Sequence, residues 1–212
     1  MRTLSIDVVS DVVCPWCLIG LHRLEQALEA LPEVAAEVRF HPFLLDPGLP
    51  DEGVDLRARL REKYGLFPEA MFARVEAAAH ESGIPLDFSK VTCIVPTTRA
   101  HTLLRHAFVK GTQRALKRAL LEAYFLDGAD VSDVDVLAAI AARHGFVEDE
   151  ARALLLDEVE LRATRSAAAK TAASGIDGVP FFIVDERFAF GGAQPVEILK
   201  KVIVRAVEAS GP

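Results

Sequence analysis

Residues 10–17 read Ser-Asp-Val-Val-Cys-Pro-Trp-Cys, and the elements on either side of them indicate the fold. Just before this stretch, apolar and polar residues alternate over 3–9, which predicts a β-strand. Pro15 suits the first turn of a helix, where its missing N–H is no loss, and leucines recur at helical spacing over 21–31. Residues 38–45 are apolar and aromatic and predict a second strand. The chain therefore opens as a βαβ unit with a Cys-x-x-Cys pair where its helix begins.

The middle of the chain differs in composition, because alanine, leucine and charged residues dominate between 56 and 173 and strand signals are rare. Strand-forming residues return at 178–184 and 188–190, and a final amphipathic helix follows. We expect one α/β domain built from residues 1–55 and 174–212, with an all-helical insertion over 56–173. The helices predicted in the insertion are 56–64, 68–82, 97–110, 113–126, 133–144, 148–156 and 158–174.

Composition and charge exclude several classes of protein. The chain has 212 residues and a formal net charge of −7, with its lysines and arginines scattered, so it lacks the basic surface that nucleic-acid binding requires. No apolar run is long enough to span a bilayer. The first residues lack the basic segment and long apolar stretch of a secretory signal. We therefore expect a cytoplasmic protein that binds neither nucleic acid nor membrane.

The Cys-x-x-Cys pair predicts thiol chemistry. A helix amino terminus stabilises an anion, so Cys14 is the expected nucleophile, and Cys17, one turn later and facing inward, is the expected resolving thiol. The alternative is half of a zinc site, but zinc needs two further ligands, and the histidines are dispersed. We expect no metal and no cofactor other than the redox-active disulfide. The third cysteine, Cys93, is expected to be a small buried apolar residue.

Five other residues are candidates for the site. Pro15 and Trp16 separate the two cysteines, and Trp16 either contacts substrate or packs over the site. Val179-Pro180 precedes a strand, and a cis peptide bond there would leave neighbouring backbone groups free to pair with an extended substrate; a trans proline that opens a strand is the ordinary alternative. Asp11 is a candidate proton acceptor for Cys17, although a loop or capping role is favoured.

Three segments together carry a resemblance to a known family: residues 10–17, the later Gly-Ile-Asp-Gly-Val-Pro-Phe-Phe at 175–182, and Gly-Ala-Gln-Pro at 192–195. They resemble the FrnE-like branch of the DsbA family. The resemblance implies a thioredoxin-like fold with a large all-helical insertion, a cis bond before Pro180, and disulfide exchange on protein or peptide thiols. Glutathione is an implied possible reductant. The direction of electron flow and the oligomeric state stay open.

Two other functions stay open. The same superfamily contains kappa-class glutathione transferases and 2-hydroxychromene-2-carboxylate isomerases. Those relatives generally have serine at the position of Cys14 and an Asp-Arg pair near the last helix, which this chain lacks at 192–195. Family members also often place an asparagine before the Ala-His pair found here at 100–101, and this chain contains no asparagine. The second alternative is a non-catalytic binding module with a vestigial cysteine pair.

Overall fold

The computed structural model describes residues 3–65 and 68–209. It begins with strand β1 (Leu4–Ser10), helix α1 (Pro15–Glu29) and strand β2 (Ala36–Pro42). The two strands are parallel, with Leu4 opposite Ala36 and Ser10 opposite Pro42. Strand β2 therefore starts and ends earlier than its apolar run of 38–45 predicts, because pairing with β1 sets its limits. The predicted βαβ opening is confirmed.

The middle of the chain is mostly helical, as predicted, but it also takes part in a small second sheet. Strand β3 (Val54–Asp55) pairs antiparallel with β4 (Cys93–Ile94). A strand of two residues is too short to show alternation, so no sequence pattern predicts it. Cys93 is exposed on β4, so the expectation that it is buried was wrong. The helices of this region are α2 (Leu56–Tyr64), α3 (Pro68–Glu81), α4 (Thr98–Val109), α5 (Gln113–Phe125), α6 (Val134–Ala142), α7 (Glu148–Leu156) and α8 (Glu158–Ala173).

The chain then returns to the main sheet. Strands β5 (Phe181–Val184) and β6 (Phe188–Gly191) form an antiparallel hairpin, and helix α9 (Val196–Ala209) follows. β5 pairs antiparallel with β1, which gives the strand order β2-β1-β5-β6. The predicted α/β class is confirmed. β5 begins three residues later than the apolar run at 178, after Pro180, which has no N–H to contribute to a ladder.

A single cluster of buried apolar side chains joins the sheet to the helices between 56 and 173. It includes Ile6 of β1, Leu24 of α1, Leu120 of α5 and Phe182 of β5. The helical region and the sheet therefore share one hydrophobic core. The exact domain boundary at 55–56 and 173–174 stays a prediction.

Helix α1 is held to its surroundings by the guanidinium of Arg23. Its Nε donates to Ser82 Oγ at 2.8 Å and its Nη1 donates to the Ala193 carbonyl at 2.8 Å. These bonds connect α1 with the end of α3 and with the loop before α9, so the helix that carries the cysteines is fixed on two sides. Within residues 3–65 and 68–209, no helix is long and apolar enough to cross a membrane.

Candidate active site

Cys14 is the N-cap residue of α1, with an extended backbone (φ −97°, ψ 114°). Pro15 follows it in the first turn, and the Cys17 amide donates to the Cys14 carbonyl at 3.0 Å. An N-cap position lies beside the unpaired N–H groups of the first turn and the positive end of the helix dipole. The arrangement therefore matches the predicted position of the nucleophile. The side chain is only 4% exposed, so any reactant must reach it through an internal space.

Cys17 lies one turn further along α1 and is 2% exposed. Both cysteines are free thiols in the structure. Burial raises the pKa of the Cys17 thiol well above its usual range, and its hydrogen bond with Cys14 raises the pKa further. The two thiols are therefore in contact but differ in their surroundings.

The segment before β5 lies against Cys14. The Cys14 thiol donates to the Val179 carbonyl across 3.5 Å, and the Val179–Pro180 peptide bond is cis. The pairing of β5 with β1 brings this segment to the amino-terminal end of α1. Gly20 allows the close approach, because a Cβ on Gly20 would lie 2.9 Å from Pro180 Cγ and 3.3 Å from Phe182 Cζ. The structure thus brings together the two halves of the predicted site.

A cavity of about 420 Å³ opens in front of Cys14. Pro15, Trp16 and Val179 line it together with side chains of α2, α3 and α5, and most of its surface is apolar. Trp16 is partly buried, with the Arg74 guanidinium carbon 5.9 Å from its ring centroid. The apolar residues that α2, α3 and α5 contribute to the lining are Leu56, Leu60, Met71, Phe72, Val75 and Phe125.

The cavity also has a charged side. Arg59 of α2 forms an ion pair with Asp46 at 2.8 Å, and both line the cavity with Lys63. Hydrogen bonding from Arg59 holds the pKa of Asp46 below its usual value. The Lys63 amine donates to the Leu45 carbonyl at 3.2 Å. The cavity therefore offers apolar contact with polar groups on one side.

Asp11 lies on the inner side of the site and is 1% exposed. Its Oδ1 accepts from the Val12 amide at 2.7 Å and its Oδ2 from the Leu45 amide at 2.8 Å. His101 Nε2 bonds Oδ1 at 3.1 Å. Burial raises the pKa of Asp11, but the hydrogen bonds, led by that of His101, outweigh it and hold the pKa below its usual value. The carboxylate thus joins the loop before α1 to the loop after β2.

Comparison with known proteins agrees with this geometry. The model of the DSBA-like thioredoxin domain matches residues 5–204.

The chain belongs to the DSBA-like thioredoxin domain family.

Solved structures show the same fold. A probable DsbA oxidoreductase from Streptomyces coelicolor is 30% identical, with a TM-score of 0.87 and coverage of 99% of this chain and 92% of that one. A 2-hydroxychromene-2-carboxylate isomerase shares 12% identity at a TM-score of 0.74, covering 97% of each chain. The cytosolic disulfide reductase DsbM from Pseudomonas aeruginosa, solved with glutathione, shares 18% identity at a TM-score of 0.66. The match covers 97% of this chain and 98% of that one. The predicted thioredoxin-like fold with a helical insertion is confirmed.

Two buried polar residues of this DSBA-like domain escaped the sequence analysis. No role was predicted for His101 of α4 or for Lys117 of α5. Burial lowers the pKa of His101 more than its hydrogen bond with Asp11 raises it. Lys117 is 0% exposed. The signal for Lys117 was present in the sequence, because apolar Leu120, Leu121 and Tyr124 follow it at i+3, i+4 and i+7 and so share its helix face.

Metal binding finds no support in the DSBA-like site. Among the residues that the structure describes, no group of three or more histidine, cysteine or acidic side chains could hold a metal ion. The site thus combines two adjacent thiols, an apolar cavity and a buried polar cluster of Asp11, His101 and Lys117.

Proposed function

We propose that this chain is a thiol–disulfide oxidoreductase in which Cys14 attacks and Cys17 resolves. The observation that carries the proposal is the difference between the two thiols. Cys14 lines the cavity at the start of α1, whereas Cys17 is buried one turn behind it. A disulfide that enters the cavity therefore meets the Cys14 sulfur first. The Cys14 sulfur then lies within reach of Cys17.

The reaction follows from these positions. The Cys14 thiolate attacks one sulfur of an external disulfide, which forms a mixed disulfide and releases the first product thiolate. Cys17 then loses its proton and attacks the Cys14 sulfur, so that the Cys14–Cys17 disulfide forms and the second product thiolate leaves. The enzyme dithiol is oxidised by two electrons and the substrate disulfide is reduced. Reversal of the same steps would oxidise a substrate dithiol.

Substrate contacts are proposed for the residues that surround the Cys14 sulfur. Trp16 and Pro15 line the cavity together with Val179, whose carbonyl bonds the Cys14 sulfur, and Pro180 follows Val179 in the chain. Backbone groups next to an extended substrate supply affinity without demanding a particular side chain. Protein and peptide disulfides are therefore the proposed substrates.

Glutathione is the proposed reductant that returns the enzyme to its dithiol form. The structural relative DsbM is a cytosolic disulfide reductase whose structure was solved with glutathione, which supports this part of the proposal. A cytoplasmic location, where the glutathione pool keeps thiols reduced, is part of the same proposal. No cofactor beyond the redox-active disulfide is proposed.

Three serine variants test the function in an assay that follows reduction of insulin and of a small disulfide by glutathione. Cys14→Ser should abolish turnover, because no nucleophile remains at the cavity. Cys17→Ser should abolish insulin reduction. Cys93→Ser is the matched control, because this exposed thiol lies outside the cavity lining, and it should keep the wild-type rate. Full activity of Cys14→Ser would refute the proposal.

A second candidate is a glutathione-dependent isomerase that acts on a small aromatic compound. The apolar cavity beside Cys14 favours it, since a volume of about 420 Å³ lies within the range that small-molecule sites occupy. The test is the double variant Cys14→Ser/Cys17→Ser with glutathione and a hydroxychromene carboxylate. Isomerisation that survives the loss of both thiols would favour this candidate over disulfide exchange.

A further inference from the structure

Resolution of the mixed disulfide requires the proton of Cys17 to move. Thiols attack as thiolates, and burial together with the Cys14 hydrogen bond disfavours the Cys17 thiolate. The side chain is 2% exposed, so solvent has almost no access to this proton. A group inside the protein must therefore accept it, or the second half of the reaction would be slow.

Asp11 is the obvious acidic neighbour, but its carboxylate is already occupied. The amides of Val12 and Leu45 and the ring of His101 all bond to its two oxygens, at 2.7–3.1 Å. These bonds stabilise the ionised carboxylate and make it a weak base. His101 in turn uses its Nε2 on Asp11. Both residues thus serve to hold the loops together.

Lys117 is in a different state. Its side chain is fully buried, and its Nζ has no hydrogen-bond partner within residues 3–65 and 68–209. Such a buried and unpaired amine is costly and needs an explanation. The titratable groups whose charges act on it are Cys14 and Cys17 at the start of α1 and Asp11 in the loop before it, and Lys117 in turn acts on His101 of α4.

The surroundings also set the charge state of this amine. Burial lowers the pKa of Lys117, and the charges of Cys17, Asp11 and Cys14 oppose that effect only in part. A neutral amine is therefore reached at a lower pH than for a solvated lysine. A neutral amine can accept a proton, and the resulting ammonium stabilises a nearby thiolate.

We propose that Lys117 accepts the proton of Cys17 during resolution of the mixed disulfide. This inference rests on the proposed disulfide exchange. Nζ makes no direct hydrogen bond to the Cys17 sulfur, so the proton passes between them through a bridging water. The Cys17 thiolate then attacks the Cys14 sulfur, and the bond between Cys14 and the substrate sulfur breaks. The substrate sulfur leaves with the electron pair and is protonated by solvent. When the enzyme disulfide is reduced again, the ammonium returns its proton to Cys17.

Stopped-flow reaction of the reduced enzyme with dithiobis(nitrobenzoate) tests the proposal, because each half-reaction releases one coloured thiolate. The first phase reports attack by Cys14 and the second reports attack by Cys17. Lys117→Met keeps the length of the side chain without the amine. At neutral pH it should slow the second phase about ten-fold or more, equivalent to raising the pKa of Cys17 by one unit. The first phase should slow less.

The pH profile separates this effect from a general disturbance of the fold. In Lys117→Met the rate of the second phase should recover as the pH rises, because Cys17 then ionises without transferring its proton to Lys117. Arg118→Met is the matched control, since it removes the neighbouring positive charge of α5 at the surface, where Arg118 pairs with Glu25. In this control, both phases should keep their wild-type rates. A wild-type second phase in Lys117→Met, or equal slowing of both phases with an unchanged pH profile, would overturn the proposal.

A measurement on the unsubstituted protein covers the case in which Lys117→Met does not fold. With nitrogen-15-labelled lysine, the Lys117 signal of the reduced protein should titrate below the range of solvated lysines and should shift when Cys14 and Cys17 are oxidised. An ordinary lysine titration that ignores oxidation would count against the proposal. The two hypotheses fail separately, because loss of the first phase in Cys14→Ser tests disulfide exchange and does not depend on Lys117.

Discussion

Gln113 pairs with the backbone of Phe40 as a neighbouring strand would. Its Oε1 accepts from the Phe40 amide at 2.8 Å and its Nε2 donates to the Phe40 carbonyl at 3.0 Å. The same Nε2 donates to the Leu104 carbonyl at 3.0 Å. Since β2 is the outer strand of the sheet, this side chain closes an edge that would otherwise lie buried and unpaired. It also ties α4 and α5 to β2, the strand that follows α1.

Gln113→Leu should therefore destabilise the protein strongly. The substitution leaves the Phe40 N–H and C=O without partners in the interior, and we expect a loss of about 2–4 kcal/mol in the free energy of unfolding. Denaturant titration measures it. Gln26→Leu is the control, because the half-buried side chain of Gln26 bonds only the ring of His22 among the hydrogen bonds described, and it should change the free energy by less than about 0.5 kcal/mol. Equal effects of the two substitutions would show that the Phe40 pairing contributes little.

Gly20→Ala should lower stability although alanine favours helices. The added Cβ would lie 2.9 Å from the Pro180 ring, so α1 must move away from the segment beside Cys14. Overpacking costs about 1–3 kcal/mol and the better helix propensity returns about 1, which leaves a net loss of up to about 2 kcal/mol. The midpoint temperature of thermal unfolding should fall, and the rate of Cys14 alkylation should change. Gly48→Ala, where a Cβ meets nothing within 4 Å, should change neither; a stabilised Gly20→Ala would contradict the close packing.

The buried pair of His101 and Asp11 should make stability depend on pH. Burial lowers the pKa of His101 below 6.5, so the unfolded chain takes up a proton in a range where the folded chain does not. The free energy of unfolding should therefore fall as the pH falls below about 6.5, and fall again below about 3.8 as Asp11 is protonated.

Denaturant titrations at a series of pH values check this dependence. His101→Asn should weaken the upper part of it, between about pH 7 and pH 5. The control is His144→Asn, because His144 is half-buried and its ring bonds the Ile140 carbonyl rather than Asp11. It shows whether the loss of any histidine has the same effect. If the wild type and His101→Asn had the same slope over this range, the assignment of the upper transition to His101 would fail.

The sequence predicted the parts of this protein that follow regular patterns. Alternation over 3–9, leucine spacing over 21–31 and the Cys-x-x-Cys pair at the helix start were enough to derive the βαβ opening and the positions of Cys14 and Cys17. The return of strands after 178 placed Pro180 near them. The positions of these elements and residues could be predicted because the period of a strand or helix is a local property of the sequence.

Other features depend on contacts between segments that are distant in the sequence, so local sequence patterns indicate them only weakly. The pairing of Val54–Asp55 with Cys93–Ile94 involves too few residues to show a pattern, and it also exposes Cys93. A lysine or glutamine in a charged, alanine-rich helix normally predicts a solvated position, so Lys117 and Gln113 drew no attention. Only the apolar residues that share their helix face could have indicated burial.

The cysteine on which glutathione is trapped identifies the nucleophile directly. Reduced variants are mixed with oxidised glutathione, quenched with acid and mapped by peptide mass spectrometry. Cys17→Ser should retain one glutathione on Cys14, Cys14→Ser should retain none on Cys17, and the wild type should end as the Cys14–Cys17 disulfide. Glutathione found on Cys17 of Cys14→Ser, with Cys14 unmodified in Cys17→Ser, would contradict the assignment of nucleophile and resolving thiol.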